Sequence, residues 1–327
     1  MKRIGSIIGS LLLVMAMTCP AARSAEGPIT INYVTFVARN HAISVVLSQD
    51  LQEIEKRSGG KLKFNYRGGP ESVKLFSQAI AVKDGAVDMC IISPDFTGGL
   101  LKGTDMLTLS KTPVHKHRET GAHDYLDGLY QKAGLKYLIM LPMNPGTQFH
   151  FVSKKRIEKP SDFKGLSLAG TGIFDSIGPA LGMTPVAMQM AEQYSGLERG
   201  LIDVGRGGIN TIAAFKLYEV AKYLIKPGFG TAPANLFMNL GKWKSIPKDQ
   251  QDLLVNSLYE LAPQTAAKHA KMDEELFGKI LGAGVNVFEF KGADREWFLK
   301  TINDAIYEHQ SKGAPDVARK IFELTNK

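Results

Sequence analysis

One arginine stands among glycines in the stretch VGRGGIN, residues 204–210. Arg206 follows a short apolar segment and has a glycine before it and two after it. A guanidinium group carries a planar fork of donors and stays charged, so it is suited to binding an anion. The glycines would let backbone N–H groups approach the same anion. The pattern predicts an anion-binding arginine; a solvent-facing hinge arginine, or one paired with Glu192 or Asp203, is the alternative.

The other reactive residue types do not form a catalytic pattern. The histidines of HKH, residues 115–117, have no third metal ligand nearby, which favours a solvated loop. Cys90 lies in an apolar run and is expected to be a small buried hydrophobic residue. Asp88 and Asp203 end two similar segments, where they are expected to accept turn hydrogen bonds. With no GxSxG or HExxH motif and no plausible Cys–His pair, we predict no catalytic residues, no metal and no cofactor.

The N-terminus has the features of a secretory signal peptide. Two basic residues precede an apolar run, residues 4–17, and small residues follow as far as Ser24, so we predict cleavage after Ser24. A lipoprotein anchored through Cys19 is the alternative. Cys90 is then the one cysteine left, so no internal disulfide can form, which is typical of a periplasmic protein. The basic residues are scattered and do not indicate nucleic acid binding.

Strand and helix patterns alternate along the chain. The segments 28–37 and 61–69 read as strands around a helical pattern, and 86–92 reads as a buried strand after a further helix. This order predicts an α/β fold with parallel pairing. Ligands bind at the carboxyl ends of strands in such sheets, so residues 93–96 are a candidate cleft wall.

The same order of strands and helices begins again in the second half of the chain. The pattern of two polar residues, glycine, two apolar residues and aspartate in KDGAVD at 83–88 recurs in ERGLID at 198–203. Two similar α/β lobes are therefore expected, and the family resemblance given below implies hinge strands between them. A helical pattern longer than thirty residues, 246–281, is interrupted only at Pro263 and should lie across both lobes.

The predicted organisation has three parts. A signal peptide occupies 1–24. The first lobe comprises 25–148 and 234–277, and the second comprises 149–233 and 278–327.

Several motifs resemble the substrate-binding proteins of tripartite ATP-independent periplasmic (TRAP) transporters, the DctP-like family. The motifs are EIEKRSGGKLKFNYRGG, KDGAVDM, KPSDFKGLSL, ALGMTPVAM, AEQYSGLERGLIDV, YEVAKYL and MNLGKWKSIPKDQQDLL. The resemblance covers nearly all of the mature chain. It implies a two-lobed periplasmic binding protein that holds a small organic anion between its lobes. It also implies delivery of that anion to a sodium-driven permease of one small and one large membrane subunit.

The resemblance also shows where this chain departs from its family. The family usually has an arginine where Ala169 stands, and a second one where Gln148 or Phe149 stands. Arg206 lies where the family is uncharged or acidic. We therefore expect Arg206 to have taken over the anion, with Gln148 and Asn210 as neutral donors.

The resemblance implies further ligand contacts from the first lobe. The positions that match the family are Thr35, Phe36, Asn40, His41 and Ser93. Asp95 could accept a hydrogen bond from a ligand hydroxyl or ammonium group, or cap its own turn. Phe174 could cover the apolar part of a ligand or be a core aromatic residue. His150 could face the cleft or lie satisfied in a sheet.

A relocated arginine suggests a changed head group. A sulfonate presents three oxygens tetrahedrally and needs donors from several directions, so a small sulfonate such as isethionate is our first expectation. A C4-dicarboxylate or another organic acid is the alternative ligand. A ligand-binding subunit of an extracytoplasmic sensor is the alternative function. The protein is expected to be a monomer.

Overall fold

The computed structural model describes residues 27–97, 99–142 and 148–327, so the predicted signal peptide lies outside the described residues. The described residues form two sheets, which confirms the predicted α/β class. The first has the order β2-β1-β3-β10-β4 and the second β11-β9-β5-β8-β6-β7. The strands of the first sheet are β1 (Ile29–Thr35), β2 (Leu62–Gly68), β3 (Met89–Ile92), β4 (Leu135–Met140) and β10 (Asn235–Asn239). Those of the second are β5 (Phe149–Ser153), β6 (Ser167–Gly170), β7 (Thr184–Ala187), β8 (Val204–Gly207), β9 (Tyr223–Phe229) and β11 (Asn286–Glu289).

Helices cover both sheets. They are α1 (Ala42–Arg57), α2 (Gln78–Lys83), α3 (Ala122–Lys132), α4 (Phe174–Ala180), α5 (Gln193–Glu198), α6 (Ile209–Ala214), α7 (Leu217–Val220), α8 (Leu240–Ser245), α9 (Lys248–Gly282), α10 (Gly292–Ser311) and α11 (Pro315–Thr325). None of the helices in the described ranges combines the length and the apolarity that a membrane span needs.

The directions of the strands place the predicted cleft wall, residues 93–96, at the carboxyl-end edge of the first sheet. β1 runs parallel to β2 and to β3, so the three strands end at the same edge of the first sheet. In the second sheet β6 runs parallel to β8, so the segments that follow these two strands also share an edge. β3 is buried along its whole length and contains Cys90, whose burial is thus confirmed.

The predicted long helix is confirmed and is continuous. α9 has 35 residues, about 50 Å of helix. It contacts α1 in the first lobe and α6 in the second. Pro263 lies inside the helix without ending it, so the expected interruption at this proline is wrong.

The C-terminal helices bridge the lobes. α10 contacts α4 of the second lobe and a 3₁₀ helix, Thr104–Leu109, of the first, whereas α11 packs on that 3₁₀ helix and on α3. The lobe boundaries stay a prediction, and this packing favours assigning α11 to the first lobe although the sequence placed it in the second.

Three smaller expectations have mixed outcomes. Asp88 accepts from the backbone N–H of Asn32 in β1 at 2.7 Å, and Asp203 accepts from that of Ser167 in β6 at 3.1 Å, so both are acceptors, but for neighbouring strands and not for their own turns as predicted. The solvated loop expected around HKH is wrong for His117. Its ring is fully buried and its Nε2 lies 3.2 Å from the carbonyl oxygen of Thr112.

The contact between α1 and α9 depends on one buried carboxylate. Asp50 is 3% exposed; it accepts from the hydroxyl of Thr265 and from Lys268 Nζ, the latter at 2.7 Å. Asp50→Ala should therefore lower the free energy of unfolding by about 1–3 kcal/mol, measured by urea denaturation. Asp252→Ala is the control, since it breaks only an exposed ion pair with Lys248, one turn away on α9. It should lower the free energy of unfolding by less than about 0.5 kcal/mol. Equal losses in the two variants would contradict this role for Asp50.

Candidate ligand-binding site

The candidate site lies where the ends of β3 and β6 face each other across the two lobes. Asp95 follows β3, and Gly172 follows β6. A Cβ atom added to Gly172 would lie 3.9 Å from Cγ of Asp95, so the lobes come close at this point. We call the space between these two segments the cleft.

Arg206 enters this region from the end of β8 and is held in one orientation. It is 5% exposed. Its Nε donates to the carbonyl oxygen of Ala169 at 3.2 Å and its Nη2 to Oγ1 of Thr171 at 2.5 Å. Its Cζ lies 4.0 Å from the ring centroid of Phe174. Burial excludes the solvent-facing alternative, and within the described part of the chain no acceptor bonds to Nη1.

The charge of Arg206 is poorly compensated. No carboxylate of the described residues lies within ion-pair distance of its guanidinium. Burial lowers the pKa of Arg206 to about 10, while the charges of Asp95 and Asp175 oppose that shift. The group is therefore a buried cation at neutral pH, and such a group is stabilised when an anion binds it.

The charge of one first-lobe carboxyl group, Asp95, acts on this cation, and a second carboxyl group, Asp105, interacts with Asp95. Asp95 keeps exposed surface, although many protein atoms surround its carboxyl group. Burial raises the pKa of Asp95, and the charges of Arg206 and His309 partly offset this. Burial, followed by the charge of Asp95, raises the pKa of Asp105 to about 7. The amide of Gln310, turned with its NH₂ toward Asp105, donates to Oδ1 at 2.8 Å.

Of the predicted residues, the structure brings Arg206, Phe174 and Asp95 together. Phe174 is 2% exposed and also packs on Phe149, with their ring centroids 5.3 Å apart. It is thus both a core aromatic residue and the platform beneath the guanidinium. Its core position is as predicted, and its contact with the apolar part of a ligand stays a prediction.

Three predicted residues lie apart from the guanidinium of Arg206. In the β5–β8 register Phe151 faces Arg206 and His150 faces Gly207, so His150 points to the opposite side of the sheet. Its Nδ1 lies 3.3 Å from the carbonyl oxygen of Ile225, and burial lowers its pKa to about 4. His150 is thus a satisfied sheet residue.

Gln148 and Asn210 lie near that second side. A Cβ atom on Gly228 would clash with both Gln148 and His150. Asn210 is buried in the first turn of α6, where its Oδ1 accepts from the hydroxyl of Thr211 at 3.2 Å. Their predicted role as ligand donors stays a prediction.

The first-lobe positions mostly serve the fold. The hydroxyl of Thr35 donates to the carbonyl oxygen of Val37 at 2.7 Å and accepts from Ser44 at 3.0 Å, which leaves it little capacity for a ligand. His41 caps α1, with its Nδ1 3.3 Å from the N–H of Ile43. Asn40 is exposed, and Ser93 is buried just before Asp95. Ligand contacts at these positions also stay predictions.

Sequence reasoning missed three residues of the site. Thr171 orients Arg206, and its position between two glycines directly after a strand was an available signal. Asp105 and Gln310 had no such signal. Asp105 lies in an ordinary first-lobe stretch, and Gln310 is on α10, far along the chain.

The raised pKa of Asp105 predicts a pH effect on stability. The folded protein holds this proton more tightly than the unfolded chain, so ionisation between pH 4 and 7 destabilises the fold. Relative to Asp105→Asn, the wild type should lose on the order of 1–3 kcal/mol between pH 4.5 and 8. Urea denaturation of both proteins at the two pH values measures this, and contributions of the histidines cancel. Parallel pH dependence of the two proteins would disprove the assignment.

Comparison with known proteins agrees with this architecture. YiaO of Escherichia coli K12, a 2,3-diketo-L-gulonate-binding periplasmic protein, is 25% identical over 274 residues, 81% of this chain and 82% of YiaO. An apo, open TRAP periplasmic solute-binding protein from Marinobacter aquaeolei VT8 superposes with a TM-score of 0.80 at 17% identity, covering 91% of this chain and 100% of that one. One from Desulfovibrio salexigens, with bound orotic acid, has a TM-score of 0.78 at 20% identity and covers 91% and 97%.

The decisive match is to a family model. Residues 35–312 match the model described as bacterial extracellular solute-binding protein, family 7. This stretch includes most of both sheets, the long helix and the cleft with Arg206. The chain therefore belongs to family 7 of the bacterial extracellular solute-binding proteins, the DctP family of TRAP solute-binding proteins.

Proposed function

We propose that this protein is the periplasmic solute receptor of a TRAP transporter. It captures a small organic ion with one anionic group and delivers it to a sodium-coupled permease of small and large membrane subunits. The observation that carries the proposal is the buried guanidinium of Arg206, whose Nη1 has no acceptor among the described residues. Orotic acid, the ligand of the Desulfovibrio relative, is likewise an organic acid.

The charges around the cleft favour a ligand with a single negative group. Arg206 supplies one positive charge, and the carboxylate charges that act on it are those of Asp95 and Asp175. A second carboxylate on the ligand would approach Asp95 and be repelled. A hydroxyl or an ammonium group at that end would instead donate to Asp95. This supports a monoanion or a zwitterion over a C4-dicarboxylate.

The geometry of Arg206 bears on the head group. Its Nε and one N–H of Nη2 already donate to protein oxygens, so two N–H groups on Nη1 and one on Nη2 remain for a ligand. A tetrahedral sulfonate takes single donors from several directions and is compatible with these remaining donors. Isethionate, with a sulfonate for Arg206 and a hydroxyl for Asp95, remains our first candidate.

The mechanism is closure of the lobes around the ligand. Arg206 belongs to the second lobe and Asp95 to the first, so a ligand that contacts both stabilises the closed state. The permease can then distinguish loaded from empty receptor by shape.

Removing the guanidinium tests the clamp. Arg206→Ala should weaken the binding of isethionate at least 100-fold in calorimetric titration, because a buried charge-assisted contact is lost. The stability of the empty protein should change little or rise, because an uncompensated buried charge disappears. Arg199→Ala, an exposed arginine of the same segment, is the matched control and should bind normally. Near-normal affinity in Arg206→Ala would show that Arg206 is structural.

The charge argument predicts how ligands rank. In a thermal-shift assay isethionate should raise the melting temperature of the mature protein by several degrees, as a saturating ligand does. Succinate should not, because its second carboxylate meets Asp95. In Asp95→Asn the effect of succinate should appear, because the repulsion is gone. If succinate stabilises the wild type as well as isethionate does, the single-anion proposal fails.

A further inference from the structure

Three phenylalanines of the first lobe form a partly open aromatic cluster. The rings of Phe36 and Phe96 have centroids 6.2 Å apart, and those of Phe76 and Phe96 are 5.6 Å apart at an interplanar angle of 83°. Phe76 is 52% exposed, and the other two are partly exposed. We call this cluster the aromatic wall.

The wall lies at the edge of the sheet where ligands bind. Phe36 directly follows β1, and its backbone N–H donates to the carbonyl oxygen of Ile91 at 3.2 Å. Phe96 follows β3 and is the next residue after Asp95. Phe76 lies in the 3₁₀ helix Leu75–Ser77, which follows β2 in the chain. Two of the rings are thus placed by the carboxyl ends of parallel strands, and the third packs against one of them.

A ligand that covers half-exposed rings beside a cleft gains binding free energy from their burial. Burying a whole phenylalanine side chain contributes about 1.5–3 kcal/mol, so covering the open half of Phe76 contributes about half of that. The fold hides Phe149 and Phe174 in the second lobe yet leaves Phe76 half open in the first. Pockets for small molecules are typically lined by aromatic side chains with a few polar groups that fix orientation. Asp95 and Arg206 supply such polar groups here.

The shape of the wall indicates what it receives. Phe76 and Phe96 stand nearly perpendicular and contact each other. A planar ring of a ligand placed against either of them can adopt the offset-stacked or edge-to-face geometry that aromatic pairs favour. A two-carbon ligand has no ring to place there.

We propose that the aromatic wall holds a planar ring of the ligand whose anionic group binds Arg206. This inference rests on the proposed function and narrows the class of solute. The preferred solute is an aromatic monoanion, and isethionate is a short analogue that uses the polar groups alone. Arg206 recognises the anionic group of the ligand, and the aromatic wall recognises its planar ring.

Paired probes with the same head group separate these two contributions. Calorimetric titration compares benzenesulfonate with methanesulfonate, and benzoate with acetate. For the wild type the ring-bearing member of at least one pair should bind at least tenfold tighter, as expected from burial of one ring. Phe76→Ser should reduce that ratio to about twofold or less while leaving the small member unchanged. Phe76 is exposed enough for this change to leave folding intact.

A second exposed aromatic residue gives the control. Trp297 on α10 is 48% exposed, and Trp297→Ser should keep the wild-type ratio. If the wild type binds the ring-bearing and the small probe of each pair equally well, the aromatic wall is not a subsite. The same conclusion follows if the ratio of their affinities is unchanged in Phe76→Ser. Arg206→Ala should weaken both members alike, which tests the clamp separately. If neither pair binds, this inference fails, whereas the proposed function fails only if isethionate also leaves the melting temperature unchanged.

Discussion

A buried positive charge is the constraint on which the site depends. The guanidinium of Arg206 is removed from water and kept in place by the Ala169 carbonyl, the Thr171 hydroxyl and the face of Phe174. These contacts are neutral, so they orient the group without cancelling its charge. Holding a cation in place in this way lowers the stability of the empty protein. Binding of an anionic ligand restores that stability.

The supporting structure follows from this requirement. A cation at the end of β8 needs acceptors from β6, and the parallel pairing of the two strands brings the end of β6 beside it. Gly172, directly after Thr171, lies close to the carboxyl of Asp95 from the other lobe. The two lobes therefore meet at a charged contact, while the apolar packing of α9 against α1 and α6 supports them elsewhere.

Local patterns predicted a large part of this arrangement. The β-branched and apolar runs gave the strands, and the glycine-rich end of β8 indicated where Arg206 would act. Prediction failed where a side chain has two possible directions. His150 was left open between cleft and sheet, and the register that pairs Phe151 with Arg206 turned it to the other side. Thr35 matched its family, yet neighbours from α1 and the following loop occupy its hydroxyl.

The sequence by itself determined the α/β class, the long helix and a charged residue at a strand end, because these depend on patterns within one segment. The tertiary structure alone decided which groups share the cleft. Asp105 and Gln310 meet from distant segments, and Phe36 and Phe96, from the ends of two strands, meet Phe76 of a 3₁₀ helix. Such contacts depend on sheet order and on helix docking, which are collective properties of packing that no single segment encodes.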